Sequence, residues 1–195
     1  MMKVTLDTNV VIDLEQNNKW APYIRELVRL HTEEKLRLRI AAIGASEKKP
    51  DETYISNFNE FKRRIEAVGL SGVEILASLF YLGISFLGYC VIGGEKSSEP
   101  EEKIQKILFP KIEMQYPEYC RNHGLDPNDS KAWQDWVNAK CDALSLWCHI
   151  WYKGDIFVTR DNNFHKKTKK PLLIALGAGD ILRPDEAVAK LRLVG

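Results

Sequence analysis

Short apolar runs alternate with stretches of helical spacing, and that alternation most limits what this chain can fold into. The runs are Val4 to Leu6, residues 36–43, residues 84–92 and residues 156–159, with Ile181-Leu182 as a brief last one. Strands buried on both faces read as uninterrupted β-branched and apolar runs, and parallel neighbours need helical crossovers between them. The pattern predicts an α/β fold with a mainly parallel sheet and helices on both faces. Helical spacing is expected over residues 10–15, with Thr8 or Asn9 as N-cap, and over residues 22–35. It is expected again from Thr53, where Tyr54, Phe58, Phe61, Ile65 and Val68 step by three or four. Further helices are expected over residues 73–82, 131–152 and 171–176, and from Pro184 onward.

A length of 195 residues suits one domain with a substantial core. Residues 93–130 differ from the rest. They hold Gly93-Gly94, Ser97-Ser98, Pro100, Pro110, Pro117, Gly124 and Pro127, and more acids than bases. They read as an insertion into a single domain of residues 1–195, with one short helix near Glu101 to Leu108 and irregular chain after it. The net charge of +1 excludes a global polyelectrolyte, so a nucleic-acid surface has to come from local clustering. The opening residues carry no signal-peptide pattern. Residues 70–92 are too interrupted, by Ser71, Gly72, Glu74, Ser78, Gly83, Ser85 and Gly88, to span a membrane. Cys90, Cys120, Cys141 and Cys148 form no CxxC pair, which predicts free thiols in the reducing cytoplasm.

Ligand sites of open parallel sheets lie beyond the carboxyl ends of the strands. Three of the expected strands deliver an acid there: Asp7 after the first, Glu47 after the second, Asp161 after the fourth. Asp142 sits in the tryptophan-rich helix just before that fourth strand, toward its N-terminal part. Each acid alone has an ordinary reading, as a helix cap, a first-turn carboxylate, a surface acid or a turn residue. Four together repel one another unless a cation balances them. Oxygen ligands without Cys or His favour Mg²⁺ or Mn²⁺ over zinc. Such ions lower the pKa of water and stabilise a leaving oxygen, which implies phosphodiester hydrolysis. Asp51, Glu52 and Asp135 are alternative acids.

"LDTNVVID" at Leu6 to Asp13 and "FVTRDNNF" at Phe157 to Phe164 resemble the opening and closing motifs of the PIN-domain nucleases. "CDALSLW" at Cys141 to Trp147 resembles their third motif, and Glu47 matches the second acid by position. The resemblance covers residues 1–92 and 131–191. It implies a three-layer α/β/α sandwich in which Asp7, Glu47, Asp142 and Asp161 bind Mg²⁺ or Mn²⁺ and carry catalysis. Asn9 and Thr159 would then orient Asp7 and water. Asn163 stands where family members often place a further acid, which bears on a second metal. Many members are RNA-cutting toxins held by an antitoxin protein; the insertion sets this chain apart from the compact toxins.

Arg160, Lys166, Lys167, Lys169 and Lys170, with Lys153 upstream, form a basic cluster beside the acids, as a phosphate backbone would require. A solvated loop is the alternative for these residues. His165 shows no obvious partner and His123 reads as a loop residue. Trp133, Trp136, Trp147 and Trp151 share helical spacing and read as core. The apolar helices after residues 10 and 53 offer either core or a homodimer or inhibitor interface. The expected activity is therefore a metal-dependent endoribonuclease leaving 5′-phosphate and 3′-hydroxyl ends. A non-catalytic RNA-binding or scaffold protein of the same fold is the alternative. A phosphohydrolase forming an aspartyl-phosphate on Asp7 comes last, because Asn9 cannot replace the general acid it needs.

Overall fold

The computed structural model describes residues 1–47, 55 and 57–194. The first half runs β1 (Met2–Leu6), α1 (Thr8–Glu15), α2 (Ala21–Thr32), β2 (Leu36–Ala41), a 3₁₀ turn (Ala42–Ser46) and α3 (Phe58–Ala67). Then come β3 (Glu74–Leu76), β4 (Ser78–Leu79), β5 (Cys90–Val91), α4 (Glu95–Leu108), α5 (Tyr116–His123) and α6 (Ser130–Trp151). The chain finishes with β6 (Ile156–Val158), α7 (Asn162–His165), α8 (Lys170–Leu173), β7 (Asp180–Leu182) and α9 (Pro184–Val194). The main sheet has the order β3-β2-β1-β6-β7, and every pairing in it is parallel.

The period-two alternation of each strand divides the apolar side chains between two layers. Val4, Leu6, Leu38, Ile40, Ile156 and Val158 pack with α1, α2, α3 and α9. Phe157 and Ile181 face the other way and pack with α4, α6 and Phe164. The result is the expected three-layer α/β/α sandwich. The apolar faces of α1 and α3 belong to the first of these cores, since Val10, Val11, Phe58, Phe61 and Ile65 are all buried there. Candidate interface positions on those faces are thus used internally. Among the described residues no helix is long and apolar enough to cross a membrane, and all four cysteines are unpaired thiols.

Three expectations are corrected. The segment expected to be helical over residues 73–82 instead gives β3, which supplies the outer strand beside β2. The strand expected over residues 84–92 is reduced to Cys90–Val91, paired with β4 in a separate two-stranded sheet. Gly83 and Gly88 take φ of 80° and 86°, a left-handed backbone that breaks an extended run. The chain after α4 is not irregular, because Tyr116–His123 forms α5 and ends on Gly124 at φ 63°. His123 accordingly closes a helix and lies 3.3 Å from the Glu113 carboxylate.

The segment 93–130 is built into the second core. Ile104 and Leu108 of α4 are buried there with Trp136 and Trp147. The Trp147 indole donates to the Ser97 carbonyl at 2.8 Å. Lys140 of α6 reaches Glu101 of α4 at 2.7 Å, with side chains 0% and 2% exposed. The Tyr81 hydroxyl also donates to that carboxylate. Of the four tryptophans of α6, Trp136 and Trp147 are core, Trp133 is half-buried and Trp151 is exposed. His149 fixes the far end of α6 to the sheet, with Nε2–H donating to the Ala178 carbonyl and Nδ1 accepting from Thr5. Burial holds that imidazole down at about 4, so it stays neutral.

Candidate metal centre

The strand order reverses direction between β1 and β6, which makes their carboxyl ends the switch point of the sheet. Asp7 follows β1 there, and its own N–H bridges to the Val158 carbonyl of β6 at 3.0 Å. Asp7 is the N-cap of α1, accepting from the Thr8 N–H at 2.9 Å; the cap had been expected at Thr8 or Asn9. Its other oxygen accepts from the Thr159 hydroxyl at 2.6 Å and from the Asn9 amide. Asn9 also donates to the Thr159 hydroxyl at 3.0 Å. Asn9 and Thr159 thus hold Asp7 from the two strand ends at once.

Glu47 arrives through the 3₁₀ turn after β2. The Thr8 hydroxyl favours the charged form of its carboxylate. That approach needs Gly44, where an added Cβ would collide with the Thr8 hydroxyl. Asp142 lies midway along the 22-residue α6, not toward its N-terminal part. Carboxylate oxygens of Asp7, Glu47 and Asp142 lie within 4.8 Å of one another. Oxygens this close together could serve as ligands of one divalent ion.

Electrostatics make this cluster costly without a cation. Burial pushes the Asp7 carboxyl up to about 6, against the Thr159 and Thr8 hydrogen bonds that pull it down. Burial and the Asp7 charge push Glu47 up to about 8, although the Thr8 hydrogen bond and Arg64 oppose this. Asp142 is raised by burial first, then by Asp7, Glu47 and Asp161. One Glu47 oxygen, Oε1, is buried and accepts no hydrogen bond. A buried, unpartnered carboxylate oxygen facing two further carboxylates is what a hard divalent cation satisfies, so the residues present fit Mg²⁺ or Mn²⁺.

Asp161 stands outside that group of three and acts on Asp7 and Asp142 through its charge. It caps α7, accepting from the Asn163 N–H at 2.8 Å, while its own N–H donates to Thr159. The Asn163 side chain does not join the acids. Its amide donates to the Leu108 carbonyl, and its oxygen accepts from Lys169. Asp135 is exposed and paired with Lys131 at 2.7 Å. Asp51 and Glu52 lie outside the described residues.

The basic cluster divides. Lys166 and Lys167 are exposed beside α7 and Lys170 is half-buried, whereas the Lys169 ammonium is held by Leu108 and Asn163. Arg160 turns toward buried Asp13 at 2.8 Å. Lys153 precedes β6 and so sits at the opposite edge of the sheet from the acids. His165 is not free, since its Nε2 bonds the Thr159 carbonyl at 2.8 Å. The sequence reading missed Gly44, the Thr8 hydroxyl, Arg64 and Asp13. The one available signal was the run Gly44-Ala45-Ser46 before Glu47, small residues where two elements approach closely.

The chain matches no protein-family model, and no curated protein matches it.

Proposed function

We propose that this protein is a Mg²⁺- or Mn²⁺-dependent endoribonuclease of the PIN type. The observation that carries the reading is the cluster of buried Asp7 with half-buried Glu47 and Asp142 at the switch point of a parallel sheet, with Glu47 Oε1 buried and unpartnered. The motif-level resemblance of residues 6–13 and 157–164 supports it independently of that geometry. Asp7, Glu47 and Asp142 would hold the ion. A bound ion supplies Lewis acidity, lowering the pKa of water and balancing charge on a phosphodiester.

The protein's own groups set the stage for this. Thr159 and Asn9 fix the Asp7 carboxylate in one orientation, and the Thr8 hydroxyl favours the charged form of Glu47. Asp161 adds negative charge at the rim. Exposed Lys166 and Lys167 would meet phosphates of a bound strand. A role as the toxin of a toxin–antitoxin pair, with an antitoxin as protein partner, follows from the resemblance alone.

A non-catalytic RNA-binding protein of this fold is the second reading. It is favoured by the raised Asp7 and Glu47 carboxyls, which can share protons in place of a metal. Incubation with single-stranded RNA and Mn²⁺ separates the two. The first reading expects 5′-phosphate and 3′-hydroxyl products that vanish in Asp7→Asn with Asp161→Asn. Cleavage surviving in that double variant overturns it. RNA binding with no cleavage supports the second.

A further inference from the structure

A positive charge is tethered to Asn163, two residues from Asp161. Lys169 precedes α8, and its ammonium donates to the Leu108 carbonyl at the end of α4 and to Asn163 Oδ1 at 2.6 Å. Asn163 in turn donates its backbone N–H to Asp161 Oδ1 at 2.8 Å. A chain of hydrogen bonds therefore links the ammonium to the one acid outside the trio. Lys169 also interacts electrostatically with Asp161.

Charge balance decides what this arrangement can hold. The trio can surround one divalent ion. A second divalent ion at Asp161 would gain one further carboxylate and would stand close to a tethered ammonium, which repels it. The neutral oxygen that Asn163 could have offered already accepts from Lys169. We propose that the centre takes a single divalent ion, held by Asp7, Glu47 and Asp142, and that the Lys169 ammonium supplies the second positive charge at Asp161. Lys169 is a positioning residue in this scheme. It places a positive charge near Asp161 and keeps α7 docked against the end of α4. The inference rests on the metal-dependent reading above and assigns its stoichiometry.

Titration of the full chain with Mn²⁺, followed by electron paramagnetic resonance of the free ion and by calorimetry, counts the sites. One ion per chain is expected. Two ions per chain overturn this inference and leave the nuclease reading standing, whereas no bound ion overturns both. Lys169→Met should keep one Mn²⁺ at nearly unchanged affinity and lower RNA cleavage by about 10–100-fold, with partial rescue in Lys169→Arg. Asn163→Asp with Lys169→Ala should bind two ions per chain. A count of one in that double variant would remove Lys169 as the reason for the single site. The wild-type count stands whether or not the variants fold.

Discussion

The Thr159 hydroxyl donates to the Asp7 carboxylate at 2.6 Å, across 152 positions of sequence. It ties the end of β6 to the end of β1 at the point where the sheet reverses its strand order. The same hydroxyl accepts from Asn9 and from the Asp161 N–H, so one side chain sets the relation between two of the acids. Thr159→Val keeps the shape and removes these bonds. Mn²⁺ affinity should fall by about 10–100-fold, and Thr159→Ser should recover most of it. Calorimetric titration of the two variants checks this.

Proton balance gives a second prediction. Asp7, Glu47 and Asp142 all lie above the ordinary carboxylate range. Between about pH 4 and pH 8, the folded, metal-free state therefore binds more protons than the unfolded chain. Stability must then fall as pH rises through that window, by linkage. The melting temperature in chelator should drop on the order of 5 °C from pH 5 to pH 8, and Mn²⁺ should reverse the drop while releasing protons. Asp142→Asn should flatten the pH profile, raise the metal-free melting temperature at pH 8 and abolish the response to Mn²⁺. Thermal melts in chelator and in Mn²⁺ across this range provide the test.

What was legible in the sequence follows from how local each feature is. Val4 to Leu6 followed by Asp7, and Ile156 to Val158 followed by Asp161, are strand-then-acid units in which chain direction alone places the carboxylate. Asp142 was legible as a residue, and the expected bounds of α6 differ from the observed ones by one residue; what the apolar spacing did not give is that the middle of this helix, not its N-terminal part, meets the strand ends. The outer strand was misplaced because residues 73–92 form one apolar stretch. Short apolar runs do not distinguish helix from strand, and the positive φ of Gly83 and Gly88 is fixed by the folded chain. The influence of Thr8 on Glu47 and the placement of Arg64 were illegible, since they arise where the turn after β2 and α3 meet α1.

Gly44 should be intolerant of a side chain. A methyl there meets the Thr8 hydroxyl, so Gly44→Ala must push the 3₁₀ turn away from α1 and carry Glu47 with it. Overpacking of this kind costs about 1–3 kcal/mol. Adding Thr8→Ala should restore much of the stability, because it removes the obstructing hydroxyl. It should not restore Mn²⁺ binding, because Glu47 then loses the hydroxyl that favours its charged form. Denaturant unfolding and Mn²⁺ titration of the single and double variants measure the two effects separately.

The Lys140–Glu101 pair is a test of how firmly residues 93–130 belong to the rest. Both side chains are buried and the Tyr81 hydroxyl completes the network. Lys140→Met strands the Glu101 carboxylate and should destabilise by about 3–5 kcal/mol. Lys140→Met with Glu101→Leu removes both charges and should recover most of that loss. If α4 were only loosely attached, the single variant would release it while the sheet stayed folded. Hydrogen exchange would then show loss of protection confined to α4 and α5, in place of the global destabilisation expected here.

The last prediction concerns the phosphate grip. Lys166 and Lys167 are exposed beside α7, whereas Lys169 is held by Leu108 and Asn163 and Arg160 by Asp13. Contacts to a bound strand should therefore come from the exposed pair. For single-stranded RNA, each phosphate neutralised contributes about 0.7 to the slope of log affinity against log salt. Lys166→Ala with Lys167→Ala should weaken RNA binding similarly for unrelated sequences and reduce that slope by roughly 1.4. The melting temperature should be unchanged, since neither side chain is buried. Fluorescence anisotropy from 50 to 300 mM salt, with Ca²⁺ present to suppress cleavage, reads the slope directly. An unchanged slope would place the strand elsewhere on the protein.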